Sequence, residues 1–395
     1  MMVADVDLGS PDGTRTHTVE VARWFAAAGL DVDLVCRGPD PGLPGVRYHR
    51  AHGSSTGARL ISVNARAVAV LWRRKGGARR CYVRHEWAQV PVLAAARALG
   101  YRVVTQVDDV AYGPDYESAL SPLADVVRRA ATLAMGRLAT GIVAVTRGIA
   151  RLLADDYHVD PRKLAVLPNG VDLARFTPQD RDGAAARAGL DPRRRYVVFI
   201  GLFADWVDFP TMLRGFAGAA RDRPDAHLVL VGDGPRRPEV EQLLDELGVT
   251  DRATLTGFVR DPDRVRDLIG ASMVCLLAHW APHLQRIGAS PTKLAEYFAS
   301  GRPVVALALP GVKEALEESG AGIAVPDDPE RFAAAIGELL DDPERSAALG
   351  AAGRRAAEER YSWESVVTRT LPLFGVASPD GAGPGSSGRA TAPDR

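Results

Sequence analysis

The segment from Gly288 to Ala306 joins a turn, a stretch of helical spacing and a buried strand. Ser290 suits the N-cap of a helix and Pro291 its first position, so backbone N–H groups and the positive end of the helix dipole would face outward. Lys293 and Glu296 lie three residues apart, so both side chains can point to one side of the helix. The spacing predicts a helix start that could hold a phosphate, but an ordinary capped helix with a surface ion pair also fits it.

Polar side chains also follow several of the apolar runs that we expect to be strands. Six of them are His85, Glu86, Asp108, Asp109, His279 and His283. Ligands of parallel sheets bind at the carboxyl ends of the strands, where these residues would lie. They are candidates for catalysis, and a capping, turn or other structural role is the alternative for each.

The elements that must position these residues alternate along the chain. Short runs rich in valine, leucine and isoleucine are followed by longer segments of helical spacing, which predicts βαβ units and an α/β fold with two doubly wound parallel sheets. In the first half we predict five strands, at residues 32–35, 81–83, 102–107, 141–145 and 165–168, and helices at 18–28, 89–99, 124–138 and 147–157. In the second half we predict six strands, at 196–200, 227–231, 253–256, 273–277, 303–307 and 322–325.

Residues 172–195 are dense in charge, proline and glycine, which is typical of a connection between domains. We therefore predict an N-terminal Rossmann-like domain over residues 1–172 and a C-terminal one over 173–355. The segment 377–395 has almost nothing to bury, which predicts a disordered tail.

Lysine plus arginine equals aspartate plus glutamate at 49 each, so no net field attracts nucleic acid. A local basic cluster at Arg73–Arg80 could touch an anionic membrane surface, but a solvated loop explains it as well. The three cysteines lack the paired spacing of a metal or redox site, which predicts buried, reduced thiols. The N-terminus lacks a signal-peptide pattern and no run is long enough to span a membrane, so we expect a cytoplasmic protein.

Five ordered motifs resemble the retaining GT-B glycosyltransferases of family 4, also called group 1. They are the segment around Ser290 and the stretches Leu167–Asp172, Val231–Pro235, Leu255–Val259 and Tyr361–Glu364. The resemblance runs from about Gly13 to about Phe374 and is stronger in the C-terminal half. It implies a GT-B fold, with two Rossmann-like domains facing a cleft and a C-terminal helix, residues 356–376, that returns to the N-terminal domain.

The resemblance also implies roles for residues of the second half. Glu296 would bond the ribose hydroxyls of a nucleotide-diphosphate sugar, and Lys293 with the turn at Ser290 and Pro291 would face its diphosphate. Gly257 and Val259 match the family's loop beneath the base. Gly201 matches the glycine that ends the first strand of the C-terminal domain. In the first half, Gly13 and Thr14 fall where the family has a glycine loop before the first helix, although a plain turn also fits them.

Several positions depart from the family pattern. Leu202 and Val207 stand where an arginine and a lysine usually neutralise the diphosphate, and Gly288 stands in place of the first of two glutamates. The acceptor-site histidine after the third strand is also missing, and Asp108 or Asp109 could take its place. A carboxylate there could orient the acceptor hydroxyl or stabilise positive charge on the sugar.

The activity implied is retaining transfer of a sugar from a nucleotide-diphosphate sugar to a hydroxyl acceptor. The candidate catalytic residues are Asp108, Asp109 and His85. Neither a metal nor a further cofactor is expected, because this class stabilises its leaving group with protein cations and helix ends. The alanine-, arginine- and glycine-rich composition is typical of high-GC bacteria, where such enzymes decorate natural products or envelope glycans. The alternatives are a weak or inactive GT-B auxiliary protein and a GT-B phosphorylase or epimerase.

Overall fold

A computed structural model of the chain describes residues 1–10, 13–53, 55–74, 78–84, 87–110 and 122–376. It divides into two units. The first contains Met1–Pro168 and the chain from Trp363 onward, and the second is Asn169–Ser362. The predicted tail at 377–395 lies outside the described residues.

The first unit is built on a parallel sheet. Its described strands are β1 Met2–Asp7, β2 Val32–Arg37, β3 Val46–Arg50, β4 Arg80–Arg84, β5 Arg102–Val107, β6 Gly141–Ala144 and β7 Leu164–Val166, in the spatial order β3-β2-β1-β4-β5-β6-β7. The described helices are α1 Gly13–Ala27, α2 Thr56–Arg73, α3 Val90–Ala98, α4 Pro122–Leu138 and α5 Arg147–Asp155. The prediction of five strands is therefore wrong, because it omits β1 and β3.

The second unit carries a second parallel sheet. Its strands are β8 Arg195–Ile200, β9 Ala226–Val231, β10 Ala253–Gly257, β11 Ser272–Leu277, β12 Val304–Leu307 and β13 Gly322–Val325, in the order β10-β9-β8-β11-β12-β13. All six were predicted to within one residue at each end. The helices are α6 Arg181–Ala188, α7 Phe209–Ala220, α8 Arg237–Glu246, α9 Pro262–Ala271, α10 Pro282–Ile287, α11 Thr292–Ala299, α12 Val312–Ser319, α13 Pro329–Asp341 and α14 Pro343–Ala356.

Helices cover both faces of the second sheet, so its strands are buried on both sides. Along β8, Val198 and Ile200 belong to one hydrophobic cluster, while Val197 and Phe199 belong to the other. This alternation follows from the two-residue period of a strand. The result is a sheet buried on both faces, with candidate site residues at the carboxyl ends of its strands.

The units meet along the chain at Pro168 and again at Ser362, not at residues 172 and 356 as predicted. The Val171 N–H donates to the Tyr361 carbonyl at 2.7 Å, and Val171 pairs with Ser362 in an isolated bridge. Ala357 also lies in the core of the second unit. These contacts hold both linking segments in the second unit, which explains the shift of the boundaries.

The last described helix, α15 Trp363–Thr370, belongs to the first unit, as the resemblance implied. Trp363 is almost completely buried, and Phe374 packs edge-to-face on Phe25 at 6.0 Å between ring centroids. The segment thus supplies part of the core of the first unit.

Cys36, Cys81 and Cys275 are free and buried, as predicted. Burial raises the pKa of Cys36 and Cys275 to about 12 and that of Cys81 to about 11.

Among the described helices, none is long and apolar enough to cross a membrane. In the basic cluster, Arg74 pairs with Asp31 at 3.0 Å and with Asp33 at 3.1 Å.

Candidate functional site

The turn before α11 is held by Asn169. The Asn169 backbone N–H donates to the Ser290 hydroxyl at 3.0 Å, and its side-chain amide donates to the Ser290 carbonyl at 2.8 Å. Ser290 therefore does not cap the helix, contrary to the prediction. Pro291 takes the N-cap position, without a side-chain hydrogen bond, and α11 begins at Thr292.

Lys293 and Glu296 form an ion pair on the first turns of α11. The Lys293 ammonium lies 2.8 Å from Glu296 Oε2 and 3.1 Å from Oε1. Glu296 is buried, whereas the Lys293 side chain is partly exposed. The helix is anchored behind the pair because the Ile200 N–H donates to the Tyr297 hydroxyl at 3.0 Å. A cation and a carboxylate thus share one rim, near the end of β8 and Gly201.

Gly288 occupies a position that only glycine fits. Its φ is +73°, and a Cβ atom there would lie 2.7 Å from the Pro310 carbonyl oxygen. The neighbouring Ala289 N–H donates to that carbonyl at 3.0 Å. The backbone therefore disfavours a glutamate at this position, which explains the departure from the family pattern.

The loop after β8 offers no cation at the two positions where the family has one. Leu202 is 52% exposed, while Val207 is buried and pairs with His279 in an isolated bridge. The Asp208 carboxylate accepts the Thr211 N–H at 2.9 Å and so caps α7. Burial raises the pKa of Asp208, with Asp327 acting in the same direction.

Arg236, which was not among the predicted site residues, brings a guanidinium to this loop. Its Nη1 donates to the Val207 carbonyl at 2.7 Å, and its Nε donates to Glu239 at 2.6 Å. The guanidinium also lies 5.6 Å from the centre of the Phe209 ring. The two arginines after Gly234-Pro235 were the available signal. A cation therefore lies beside the loop, although it is already paired with a carboxylate.

The loop after β10 is fixed by a close backbone contact. The Gly257 carbonyl accepts the Gly232 N–H at 3.0 Å, and Gly257 itself has a φ of +66°. Gly201 is part of the same arrangement, because a Cβ atom on Gly232 would lie 1.9 Å from its carbonyl oxygen. Val259 packs against the core. Gly201, Gly257 and Val259, the three predicted site residues, thus lie in closely packed segments at the carboxyl edge of the sheet.

His279 lies at the same edge, and its side chain is partly buried. Its Nδ1 atom has no hydrogen-bond partner among the described residues, and burial lowers the pKa of the imidazole to about 4. The ring is therefore neutral at physiological pH.

In the first unit, Gly13 and Thr14 form the first turn of α1. The prediction of a loop followed by a helix near Thr18 is therefore wrong for these two residues. The Thr18 hydroxyl donates to the Thr14 carbonyl at 2.8 Å, which ties successive turns of the helix together.

Asp108 lies in a polar network at the carboxyl ends of β4 and β5. Its carboxylate accepts Arg84 Nε at 2.5 Å and the Gln106 amide at 2.6 Å. Burial opposes ionisation, but Arg84, His17 and Gln106 outweigh it and hold the pKa of Asp108 below its ordinary value. The adjacent Asp109 is exposed. His85 and Glu86 lie outside the described residues.

His17 adjoins this network. The ring is buried and lies edge-on to Trp363, with 5.2 Å between centroids. Burial lowers the pKa of His17 to about 4, and Asp108 opposes this only in part. Within the described ranges, no group of three or more potential ligands has a metal-site arrangement.

The sequence matches two models that describe the halves of one family. Residues 11–175 match Glycosyltransferase Family 4, and residues 194–342 match Glycosyl transferases group 1. Together with the two parallel sheets, these matches confirm the resemblance described from the sequence motifs. The chain belongs to the GT-B glycosyltransferases of family 4.

Among GT-B relatives, a D-inositol 3-phosphate glycosyltransferase of Segniliparus rotundus is 32% identical over 61% of this chain and 53% of its own length. A protein of the same name from Geodermatophilus obscurus is 29% identical over 94% of this chain and 86% of its own. The matches to the Segniliparus relative and to one from Rhodococcus opacus span about half of those proteins.

Solved GT-B structures share the fold. Sucrose-phosphate synthase from Thermosynechococcus elongatus superposes with a TM-score of 0.73 at 22% identity, covering 94% of this chain and 98% of that one. Anabaena HepE in complex with UDP-glucose gives 0.70 at 17% identity, covering 94% and 98%.

Proposed function

We propose that the chain transfers a sugar from a nucleotide-diphosphate sugar to a hydroxyl acceptor, with retention of configuration at the sugar carbon. The observation that carries the proposal is the Lys293–Glu296 pair on the first turns of α11. In the reaction, the bond from the sugar carbon to the diphosphate breaks, a bond to the acceptor oxygen forms, and the acceptor proton is released.

The pair suits the two ends of a nucleotide diphosphate. The Glu296 carboxylate can accept hydrogen bonds from the ribose hydroxyls, and Lys293 can turn toward the phosphates because its side chain is only partly buried. The first turn of α11 adds the positive end of a helix dipole without a side-chain cap. The crystal structures of HepE in complex with UDP and with UDP-glucose support a uridine nucleotide as the first donor to test.

The charge of the leaving diphosphate must then be met without cations at Leu202 and Val207. Lys293, the α11 terminus and Arg236 are candidates for this role on the described part of the second unit. Arg236 could bind the diphosphate if a phosphate oxygen replaced Glu239 as the partner of its guanidinium, whose Nη1 already contacts the Val207 carbonyl. We propose that these groups act without a divalent ion.

For the acceptor, we propose a hydroxyl compound that binds to the first unit near Asp108. The names of the relatives make D-inositol 3-phosphate the first acceptor to test, ahead of natural products and envelope glycans. The Arg84 partner keeps Asp108 ionised, so its carboxylate can accept a hydrogen bond from an acceptor hydroxyl.

The test replaces Glu296 by alanine and measures donor affinity and release of UDP from a panel of UDP-sugars. We expect donor affinity to fall about 10- to 100-fold, because hydrogen bonds to a charged group contribute about 1.5–3 kcal/mol. Lys293→Ala should weaken donor binding as well. The matched control is Glu317→Ala, which removes the glutamate of an exposed Lys313–Glu317 pair on α12 and should leave affinity unchanged. Wild-type affinity and turnover in Glu296→Ala would refute the assignment.

A second candidate function is an inactive GT-B auxiliary protein. The apolar Leu202 and Val207, with Gly288 in place of a glutamate, favour it. In that case the wild type would release no nucleotide with any donor, and donors would not raise its melting temperature.

A further inference from the structure

A cavity of about 620 Å³ lies at the amino-terminal edge of the second sheet. Arg195 begins β8, Met273 lies at the start of β11 and Pro303 directly precedes β12. The junction between α13 and α14 closes the other side through Leu340 and Pro343. The volume is in the range of small-molecule sites and exceeds what a bare inorganic ion needs.

Arg302 gives this cavity a partly buried guanidinium that forms no ion pair with any of the described residues. One terminal nitrogen, Nη2, donates to the Gln179 carbonyl at 2.7 Å and also to the Gly270 carbonyl. The Nε atom is buried and has no hydrogen-bond partner among the described residues, and Arg302 forms no ion pair with any of them. Burial lowers the pKa of Arg302; the nearby charge of Arg181 acts in the same direction and that of Asp180 against it.

Two more arginines reach the cavity from its rim. Among the described residues, the ion-pair partner of Arg181 is its neighbour Asp182, which is mostly exposed, and Arg193 pairs with Asp191 while remaining 89% exposed. Exposed ion pairs of this kind contribute little to stability, so each guanidinium can leave its carboxylate and bind another anion at a small cost in free energy.

The carboxylates of the cavity are already neutralised. Arg195 lies 2.5 Å from Asp225, and Asp341 accepts hydrogen bonds from Arg195 and from Arg223, the latter through Nε at 2.8 Å. They therefore do not offset the charge of Arg302. The backbone carbonyls that Arg302 contacts carry no net charge, and Asp180 acts on the guanidinium only from a distance, so none of the described carboxylates pairs with it directly.

We propose that this cavity binds a phosphomonoester, with the phosphate on Arg302 and Arg181 and a compact organic group against Met273, Pro343 and Ala347. Guanidinium groups match phosphate oxygens in two-bond geometry, which favours phosphate as the anion. The apolar side chains that line the same cavity favour an organic ester over inorganic phosphate.

The cavity is separate from the donor residues. Lys293 and Glu296 lie on the first turns of α11, whereas Gly301 and Arg302 follow its last turn. The eight-residue helix spans about 12 Å between these ends. The inference does not rest on the proposed function, and Lys293→Ala should leave phosphomonoester binding unchanged.

The test titrates the full chain, labelled with ¹³C-methyl methionine, with phenyl phosphate or inorganic phosphate at constant ionic strength. The chain has five methionines, and Met273→Leu assigns the signal that reports on the cavity. We expect a saturable shift of the Met273 methyl signal with phenyl phosphate, at an affinity about tenfold above that for inorganic phosphate.

Arg302→Gln and Arg181→Gln should each weaken phenyl phosphate binding about tenfold or more. Arg181→Gln keeps the test valid if Arg302→Gln, which also loses two carbonyl contacts, fails to fold. The control Arg331→Gln removes an exposed arginine outside the cavity and should change affinity less than about twofold. No saturable shift at millimolar phenyl phosphate, equal affinity for both probes, or unchanged affinity in Arg181→Gln would overturn the proposal.

Discussion

Asp108 is the candidate catalytic residue with the best-defined surroundings. Asp108→Asn keeps the shape of the side chain but removes the charge that Arg84 and Gln106 stabilise. We expect turnover to fall about 100-fold or more if the carboxylate assists the acceptor hydroxyl, with donor affinity unchanged. The measurement is steady-state turnover beside equilibrium donor binding. Asp109→Asn provides the comparison, and wild-type turnover in Asp108→Asn would remove Asp108 from the proposal.

The lowered pKa of His17 predicts that the first unit loses stability in acid. Its pKa is about 4 in the folded chain against 6.5 as the ordinary value, so the unfolded chain binds the proton more readily. Stability is therefore lost as the pH falls from 6.5 toward 4, by about 3 kcal/mol for this residue. In His17→Gln, the free energy of unfolding measured by denaturant titration should lose that part of its pH dependence. His52→Gln, at an exposed position, should retain it, and identical pH profiles for all three proteins would contradict the prediction.

Among the elements, the turn before α11 constrains what can be engineered at the donor site. Gly288→Glu would restore the family's missing carboxylate, yet we expect a loss of about 1–3 kcal/mol in stability, because the left-handed backbone and the Pro310 carbonyl both oppose a side chain. Calorimetry checks the loss. Gly189→Ala is the matched control, since Gly189 has a φ of +75° with open space around it and should cost only about 1 kcal/mol. A stable, more active Gly288→Glu would contradict this account.

At the level of the molecule, the C-terminal segment should determine the stability of the first unit. Trp363→Ala removes one of its largest buried side chains, and we expect a loss of about 3–5 kcal/mol. Hydrogen exchange should show reduced protection in β1, α1 and β4, and little change in β8–β13. Trp72→Ala, at a mostly exposed site of the same unit, should change stability by less than about 0.5 kcal/mol. Equal effects of the two substitutions would refute the prediction.

The fold class could be predicted from the sequence because most strands are buried on both faces and read as continuous apolar runs. The two omitted strands lack that pattern. In β1, Asp5 interrupts the run, and its charge is met by Arg37, which is 32 residues away at 2.8 Å. In β3, at the edge of the sheet, the sequence Val-Arg-Tyr-His-Arg is only partly buried. Long-range pairing and edge exposure leave no local signal.

The candidate site divides in the same way. The Lys293–Glu296 pair follows from helical spacing, which is a local property. The contact of Ser290 with Asn169 joins residues 121 positions apart, and that of Arg236 with Val207 joins residues 29 apart. Neither contact can be read from spacing. The N-cap at Ser290 was predicted from residue preference alone, whereas in the structure the Ser290 hydroxyl accepts the backbone N–H of Asn169.

Because the three thiols are buried, their chemical reactivity can report local unfolding of the structure around each of them. With pKa values of about 11 to 12, almost none of the reactive thiolate exists at neutral pH while the chain is folded. A maleimide therefore reacts at a rate set by the opening of the surrounding structure. Cys36 and Cys81 record the first unit and Cys275 the second. Peptide mapping after a timed exposure would thus rank the two units by how often each opens, without adding any label site to the protein.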